Sequence, residues 1–583
     1  ALRIKHSWHH HALWNVTSGR VVGELHQTPT NGWNLIDDPV EGHSNWFPEK
    51  MGEIVSRTEF WCDVLSLTPP LGVFMEEMRK AVAIVVERSK SRMHPVIIRM
   101  MFANIVGAPV NCGKIVKKLT KDLPEDGNVH LWVGAWRQGV SWNHAKIIAV
   151  DGKYLHTGGH NMWEKDYLTN NPVYDLSFEM EGKVAHDAHL FANAQWAFVR
   201  QKKRTISGYV EDKIPDALPS FLPHRTTISN FPSKKAPTFP TQYSRRLVPK
   251  HTPLQGRVPV ITMGRYGNLV FRKRASDDAF NALIGSAKKT INFAIQDLGP
   301  ICIPQTKLTV PGYKWPTKYM NAIARALWTK AVNVNILLSN PHSIPGGLTA
   351  LEANYGNGWT CVDVAAEIIK RVKKQFKKVD DADLRNIVSN NLKVSFIRNR
   401  AGNRWDDGGS LGMHAKHFII DDICCYIGSQ NLYECDLAEW GIVIDDQAQT
   451  QKIMDEYWNP MWRACYNPDD CNVQEVMDNL KVDRRGQNSY FASPEKRKEF
   501  RKAQQTQFGV LHEEEKDHYH KEKELDFHFD FTKNVHANFP TMQFSQWSKG
   551  ADTRKSITTS TPNVSSEKRE VDTGKNVASS APN

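Results

Sequence analysis

Two short stretches, WNHAKIIAVDG at 142–152 and GMHAKHFIIDD at 412–422, share a skeleton of residues able to do chemistry. Counted from each histidine, Lys falls at +2, Asp at +7 and Asn at +17. The two sets are His144, Lys146, Asp151, Asn161 and His414, Lys416, Asp421, Asn431. Each Asn ends a turn of small residues, GGHN with Gly159 or GSQN with Ser429, that lets backbone approach closely. One His-Ala-Lys alone reads most simply as a buried sheet segment with a satisfied histidine. Two copies agreeing at four polar positions do not arise by independent coincidence.

These residue types select an anion over a metal. A protonated Lys cannot ligate and repels a cation, and no carboxylate pair shares its face. Lys ammonium and Asn amide groups are donors suited to a phosphate whose charge grows in the transition state. Two imidazoles supply complementary tools, one neutral as nucleophile and one protonated as acid for a leaving oxygen. No metal or other cofactor is therefore expected. On a strand, alternation puts His144 with Lys146, and His414 with Lys416, on one face, and turns Asp151 and Asp421 away as structural acceptors. A histidine beside positive groups needs a carboxylate on its other nitrogen. The candidates are Asp175 in PVYDLSFEMEG and Glu439 in LAEWGIVID, at +31 and +25. One site made by both halves would need the motif twice.

The elements that must position these residues also repeat. Strand-like PVIIRMMFANI (95–105), helical KIVKKLTKDL (114–123) and strand-like NVHLWVGAW (128–136) precede the first motif. Strand-like TINFAIQDL (290–298), NVNILLSN (333–340) and LKVSFIRNR (392–400), separated by helical segments at 319–331 and 365–379, precede the second. This alternation predicts an α/β fold of two similar α-β-α sandwich halves, forming a pseudo-dimer with one active site at their interface. The domain boundaries expected are 1–205, a Pro-rich connector over 206–256, 257–483, and a charged, partly disordered tail over 484–583. In the tail, LDFHFDF (525–531) alternates and is expected to pack on the body.

The length of 583 residues suits two core units. No apolar run approaches the roughly 18 residues of a membrane span, so the chain is expected to be soluble or peripheral to membranes. The excess of 75 Lys and Arg over 63 Asp and Glu, a net charge of +12, favours anionic partners. Nine cysteines set no framework of bridges, and adjacent Cys424 and Cys425 point to opposite strand faces. The start at Ala1 and the sequons at Asn15 and Asn563 lean toward secretion. The basic run IIKRVKKQFKKV (368–379) reads first as a solvated helix face, with docking on an anionic surface the sharper alternative. Trp132, Trp136, Trp142 and Trp163 either line a lipid-admitting mouth or pack in the core. His6, His9, His10 and His11 lie on a flexible end, which argues against a metal site.

With these residues in hand, the sequence resembles the phospholipase D superfamily, whose signature is a duplicated His-x-Lys-x(4)-Asp, each copy followed by a glycine-containing turn with Asn. WNHAKIIAVDGKYLHTGGHNMWEKDYL with PVYDLSFEMEG, and MHAKHFIIDDICCYIGSQNLY with EWGIVI, look like the two motif regions of the secreted Streptomyces-type enzymes. WNVTSGR (14–20) and LTPPLG (67–72) look similar to their amino-terminal region, so the likeness spans about 10–465. It implies a two-step, metal-free displacement on a phosphodiester. His144 would form a phosphohistidine, and His414 would protonate the departing alcohol. Lys146, Lys416, Asn161 and Asn431 would hold the non-bridging oxygens, while Asp175 and Glu439 would buttress the imidazoles. Glu439 stands where the bacterial enzymes often carry Asp. The implied substrate is a phospholipid at a membrane surface, met by a secreted monomer without an obligatory protein partner. A superfamily nuclease acting on nucleic acid, and an inert basic scaffold, are the alternatives.

Overall fold

The computed structural model describes residues 13–484, apart from 31–32, 34–45, 106–108, 139–140, 170, 205–226, 233–236, 238–239, 252–254, 268–274, 303–307, 310–312, 342, 344–357, 377, 400–401 and 406. The amino-terminal histidines, the Asn563 sequon, LDFHFDF, the tail and much of the 206–256 connector lie outside the described residues.

The first half contributes strands β1 (Trp14–Thr28), β2 (Trp61–Ser66), β3 (Val96–Ala103), β4 (Val129–Gln138), β5 (Ser141–Trp142), β6 (Ile147–Val150), β7 (Tyr154–Gly158), β8 (Asp175–Glu181) and β9 (Thr227–Phe231). The second contributes β10 (Val258–Tyr266), β11 (Thr290–Ile295), β12 (Asn333–Leu338), β13 (Leu392–Phe396), β14 (Lys416–Ile420), β15 (Cys424–Gly428) and β16 (Ala438–Ile444). Both sets join in one sheet. Read outward from an antiparallel β1–β10 seam, the order β1-β8-β7-β6-β2-β3-β4 is matched by β10-β16-β15-β14-β11-β12-β13. The fold is thus mixed α/β, with the same strand order in each half.

Local chemistry explains these elements. VIIRMMFA of β3 is buried along its whole length, as a strand paired in parallel on both sides and covered on both faces requires. The helix Cys361–Gln375 starts in a capping box of Thr360 and Asp363, and turns Ile368, Ile369 and Val372 inward. It ends at Gln375 rather than 379, because Phe376 adopts extended backbone and packs against Trp328. Its basic residues form an outward face: Lys370 and Lys374 are exposed, Lys373 pairs with Asp381 at 3.1 Å and Arg371 with Glu367 at 2.6 Å.

Each half packs its own helices on its strands, and a further apolar core draws from both. That shared core holds Trp132, Trp136, Phe191 and Trp196 together with Trp440, Tyr457 and Met461. Trp132 and Trp136 are therefore core residues of β4 and line no mouth. The helix Val184–Arg204, absent from the sequence-based expectations, supplies Val184, Ala188, Phe191, Ala192 and Trp196 at helical spacing. The connector does more than span a surface. β9 pairs with β4 along an otherwise open edge, and Tyr243 is buried with its ring stacked on His189 at 4.2 Å.

No disulfide forms among the described residues, and Cys425 is buried with its neighbour Cys424 half-buried. No helix among the described residues is long and apolar enough to cross a membrane. Asn15 donates its amide to Asp187 Oδ1 at 2.9 Å within β1.

Several histidines besides His144 and His414 are buried and held neutral by desolvation. His26 and His417 are pushed down to about 4 and His160 to about 3, while His156, stacked on His26, lies well below the ordinary range. Their unfolded-state values are near 6.5, so the unfolded chain binds more protons at lower pH. Their stability contribution is whole above about 6.5 and is lost as pH falls from there toward 4. A tenfold change in proton affinity is worth about 1.4 kcal/mol, so a histidine lowered to about 4 contributes on the order of a few kcal/mol. Thermal melts followed by circular dichroism are expected to show Tm dropping steeply below pH 6.5. A flat Tm from pH 7 to 4 would contradict this account.

Candidate active site

Each motif histidine stands just ahead of its strand rather than on it, β6 starting at Ile147 and β14 at Lys416. The reason is a hydrogen-bond exchange between halves. His144 N donates to Ala438 O at 2.8 Å, and His414 N donates to Tyr174 O at 2.7 Å. Each motif entry therefore pairs with the residue preceding the other half's carboxylate, and its backbone groups are spent across the interface.

This exchange crosses the buttresses. His144 Nδ1 lies 2.9 Å from Glu439 Oε2, and His414 Nδ1 lies 2.8 Å from Asp175 Oδ2. Sequence reading named both carboxylates, each downstream of one motif; the structure gives each to the histidine of the opposite half. Both rings and both acids are buried. The imidazole centroids are 6.4 Å apart with the planes at 78°. With Nδ1 committed to a carboxylate, Nε2 is the nitrogen each ring presents on its other side.

The lysines join the same place. Lys146 Nζ donates to His144 O at 2.8 Å, and Lys416 Nζ donates to His414 O. Desolvation pushes Lys146 down to about 7 and Lys416 well below its ordinary range, against the pull of Asp175 and Glu439. Desolvation likewise lowers His144 to about 4, Glu439 opposing and the lysines adding to the drop, and holds His414 well below its ordinary range, with both lysines again adding. Two lysines and two imidazoles are buried here with the two carboxylates Asp175 and Glu439, and desolvation disfavours the protonated form of each base. An entering anion restores every proton that burial disfavours.

Asn161 is completely buried, and its Nδ2 and Oδ1 both lack a hydrogen-bond partner among the described residues. Asn431 gives Nδ2 to Tyr433 Oη at 2.9 Å and leaves Oδ1 without one. Buried amides left unmatched are costly, and their natural use is a ligand. Gly159 donates its N–H to Leu176 O at 2.8 Å, and a Cβ there would collide with Asp175 Oδ1, which is why the first turn needs glycine. Ser429 Oγ donates to Glu439 Oε2 at 2.6 Å, fixing the second acid.

Asp151 and Asp421 take another task. Both adopt left-handed backbone, φ 54° and 55°, in the β6–β7 and β14–β15 turns, a conformation Asp tolerates. Asp151 accepts from the N–H groups of Glu59, Phe60 and Trp61 at 2.9, 2.8 and 2.6 Å. Asp421 accepts from Lys288, Lys289 and Thr290 at 2.9, 2.6 and 3.0 Å. Each thus ties its hairpin to the chain entering β2 or β11, away from the imidazoles.

Further residues, unmarked by any spacing, complete the site. Tyr167 Oη donates to Asp175 Oδ2 at 2.9 Å and accepts from Asn161 N at 3.2 Å, joining acid and amide. Leu71 of LTPPLG gives its N–H to Met162 O at 3.3 Å, so that loop borders the Asn161 turn. Trp163 donates to Thr68 Oγ1 and packs with half-buried Trp142 in a small apolar cluster beside it.

No family model matches the chain. It is 24% identical over 506 residues to the phospholipase D of Streptomyces antibioticus, covering 79% of this chain and 84% of that one. Among solved structures, it is similar to the phosphatidylserine synthase of Haemophilus influenzae Rd KW20, at 13% identity over 76% of this chain and 91% of that one, TM-score 0.42. It is also similar to Nuc, a phospholipase D family member of Salmonella typhimurium, at 13% identity over 35% and 96%, TM-score 0.21. The long match to the Streptomyces enzyme, joined to a duplicated His-x-Lys-x(4)-Asp whose two copies meet at one point, makes this chain similar to the phospholipase D superfamily.

Proposed function

We propose that this superfamily phosphodiesterase hydrolyses glycerophospholipids such as phosphatidylcholine to phosphatidic acid and the head-group alcohol, and transfers the phosphatidyl group where an alcohol competes with water. The observation that carries the reading is the pair of imidazoles 6.4 Å apart, each held at Nδ1 by a carboxylate of the other half. His144 Nε2 attacks phosphorus, the bond to the head-group oxygen breaks, and His414 gives that oxygen its proton. Water or an alcohol then surrenders a proton to His414 and attacks, breaking the P–N bond and freeing His144. Lys146, Lys416, Asn161 and Asn431 take the charge of the non-bridging oxygens. The anion itself raises the affinity of His414 for the proton it must donate. Both motif Asp residues and the length of the match to a phospholipase D support a lipid over a nucleic acid. No residue requires a metal in these steps, and the chain is proposed to work as a secreted monomer at a membrane surface.

Incubation with phosphatidylcholine vesicles plus ethanol in a chelator is expected to release choline and form phosphatidylethanol. Cleavage of plasmid DNA without choline release would replace the lipid reading with the nuclease one. Inertness toward both would favour a binding scaffold.

A further inference from the structure

The two buttressing acids occupy matching registers but face different neighbours. Across the β8–β1 ladder Asp175 is opposite Thr28, and across the equivalent β16–β10 ladder Glu439 is opposite Arg265. Thr28 spends its hydroxyl on His160 Nε2 at 2.8 Å and Val173 O at 3.1 Å. Arg265 is fully buried and lies with Nη2 3.8 Å from Glu439 Oε1, the carboxylate oxygen that accepts no hydrogen bond. Its Nη1 donates to Asp277 Oδ1 at 2.8 Å and its Nη2 to Cys435 O at 2.9 Å. Tyr319 and Gln430 also donate to Asp277 Oδ1, so the guanidinium is clamped from below. Asp175 receives Tyr167, Leu176 N and His414, and no Lys or Arg lies within 4 Å of it among the described residues.

We propose that Arg265 is a positioning residue of the reaction: facing Glu439 across the ladder, it holds that carboxylate ionised and aimed at His144, and so makes the two imidazoles unequal bases. This rests on reading His144 as the nucleophile. A cation on the far oxygen weakens Glu439 as an acceptor, which lowers the basicity of the imidazole it holds. His144 then stays neutral when the anionic substrate arrives, and leaves phosphorus readily in the second step. Asp175, which has the neutral Tyr167 and Leu176 N–H as its other donors and no cation behind it, stays an undivided acceptor for His414, the imidazole that carries the proton. The other charged or titratable groups facing this pair are Lys146, Lys416, Asp175, Asp277, Cys435, Tyr319, Tyr426 and Tyr433. The lysines act on both rings, so the difference between the halves falls to Arg265.

The test uses R265M, R265K and the double variant R265M/D277N, in which no buried carboxylate at 277 is left without its cation. The acid limb of kcat/KM for p-nitrophenylphosphocholine is expected to move upward by about one pH unit in R265M and R265M/D277N, and to return in R265K. The 15N histidine titration of His144, assigned by its loss in H144A, is expected to move by the same amount. An acid limb and a His144 titration both unchanged in soluble, folded R265M/D277N would overturn the proposal, whatever the turnover. So would an R265K variant that behaves like R265M. Wild-type protein inert toward this and every lipid substrate would sink the functional reading alone, since the His144 titration still decides the role of Arg265.

Discussion

His144→Ala is expected to lower kcat/KM by at least about 10⁴-fold and to abolish any acid-labile phosphoenzyme, as loss of a nucleophile does. His414→Ala is expected to be equally inactive on natural lipids, because the alkoxide leaving group finds no proton. With a p-nitrophenyl ester the leaving group needs none, so His414→Ala still forms the covalent species and then stalls, lacking a base for water. Rapid quench with a ³²P-labelled ester separates the two variants. Equal labelling of both would refute this division of labour. The structure adds a reason for inequality that motif symmetry cannot supply: Glu439 has Arg265 opposite it, and Asp175 has Thr28.

Lys146→Met and Lys416→Met are expected to lower kcat by about 10³-fold while leaving the protein as stable or more so. The first effect follows from removing a donor aimed at developing charge. The second follows from burial, since each ammonium has left water for a site where a histidine carbonyl and the charges of Asp175 and Glu439 only partly replace its hydration. Lys146 is about 10.5 in the unfolded chain and about 7 in the fold, so protonation destabilises the folded state. The penalty is absent above 10.5, grows as pH falls and is complete near 7. The Met variant should therefore gain on wild type by on the order of a few kcal/mol across that window. Tm measured from pH 10 to 7 checks the sign, and added inorganic phosphate should raise Tm of the wild type only. A Met variant that melts lower at pH 7 would show the lysine to be structural.

Strand order and site differ in how openly the chain declares them. β3, β12 and the helix Cys361–Gln375 are legible because periodicity is local, a property of ten or fifteen neighbouring side chains. The helix Val184–Arg204 carries the same kind of signal, yet only the structure brought it out. β1 is different: Trp14–Thr28 holds both halves together by pairing with β10 along its first residues and β8 along its last, which no local pattern announces. The tryptophans of β4 suit a rim because indole favours an interface, yet alternation sends Trp132 and Trp136 into the shared core.

What the amino-acid order determined by itself was the inventory of the site: His144, Lys146, Asn161 and their partners at +270, with Asp151 and Asp421 set apart by parity. Repetition made that legible, because covalent spacing survives in the chain. What only the tertiary structure decided was who serves whom. Glu439 turns to His144 and Asp175 to His414 because each histidine gives its backbone N–H to the half opposite, and Arg265 meets Glu439 because β10 and β16 pair in that register. Such contacts join residues hundreds of positions apart, where sequence distance carries no information about space.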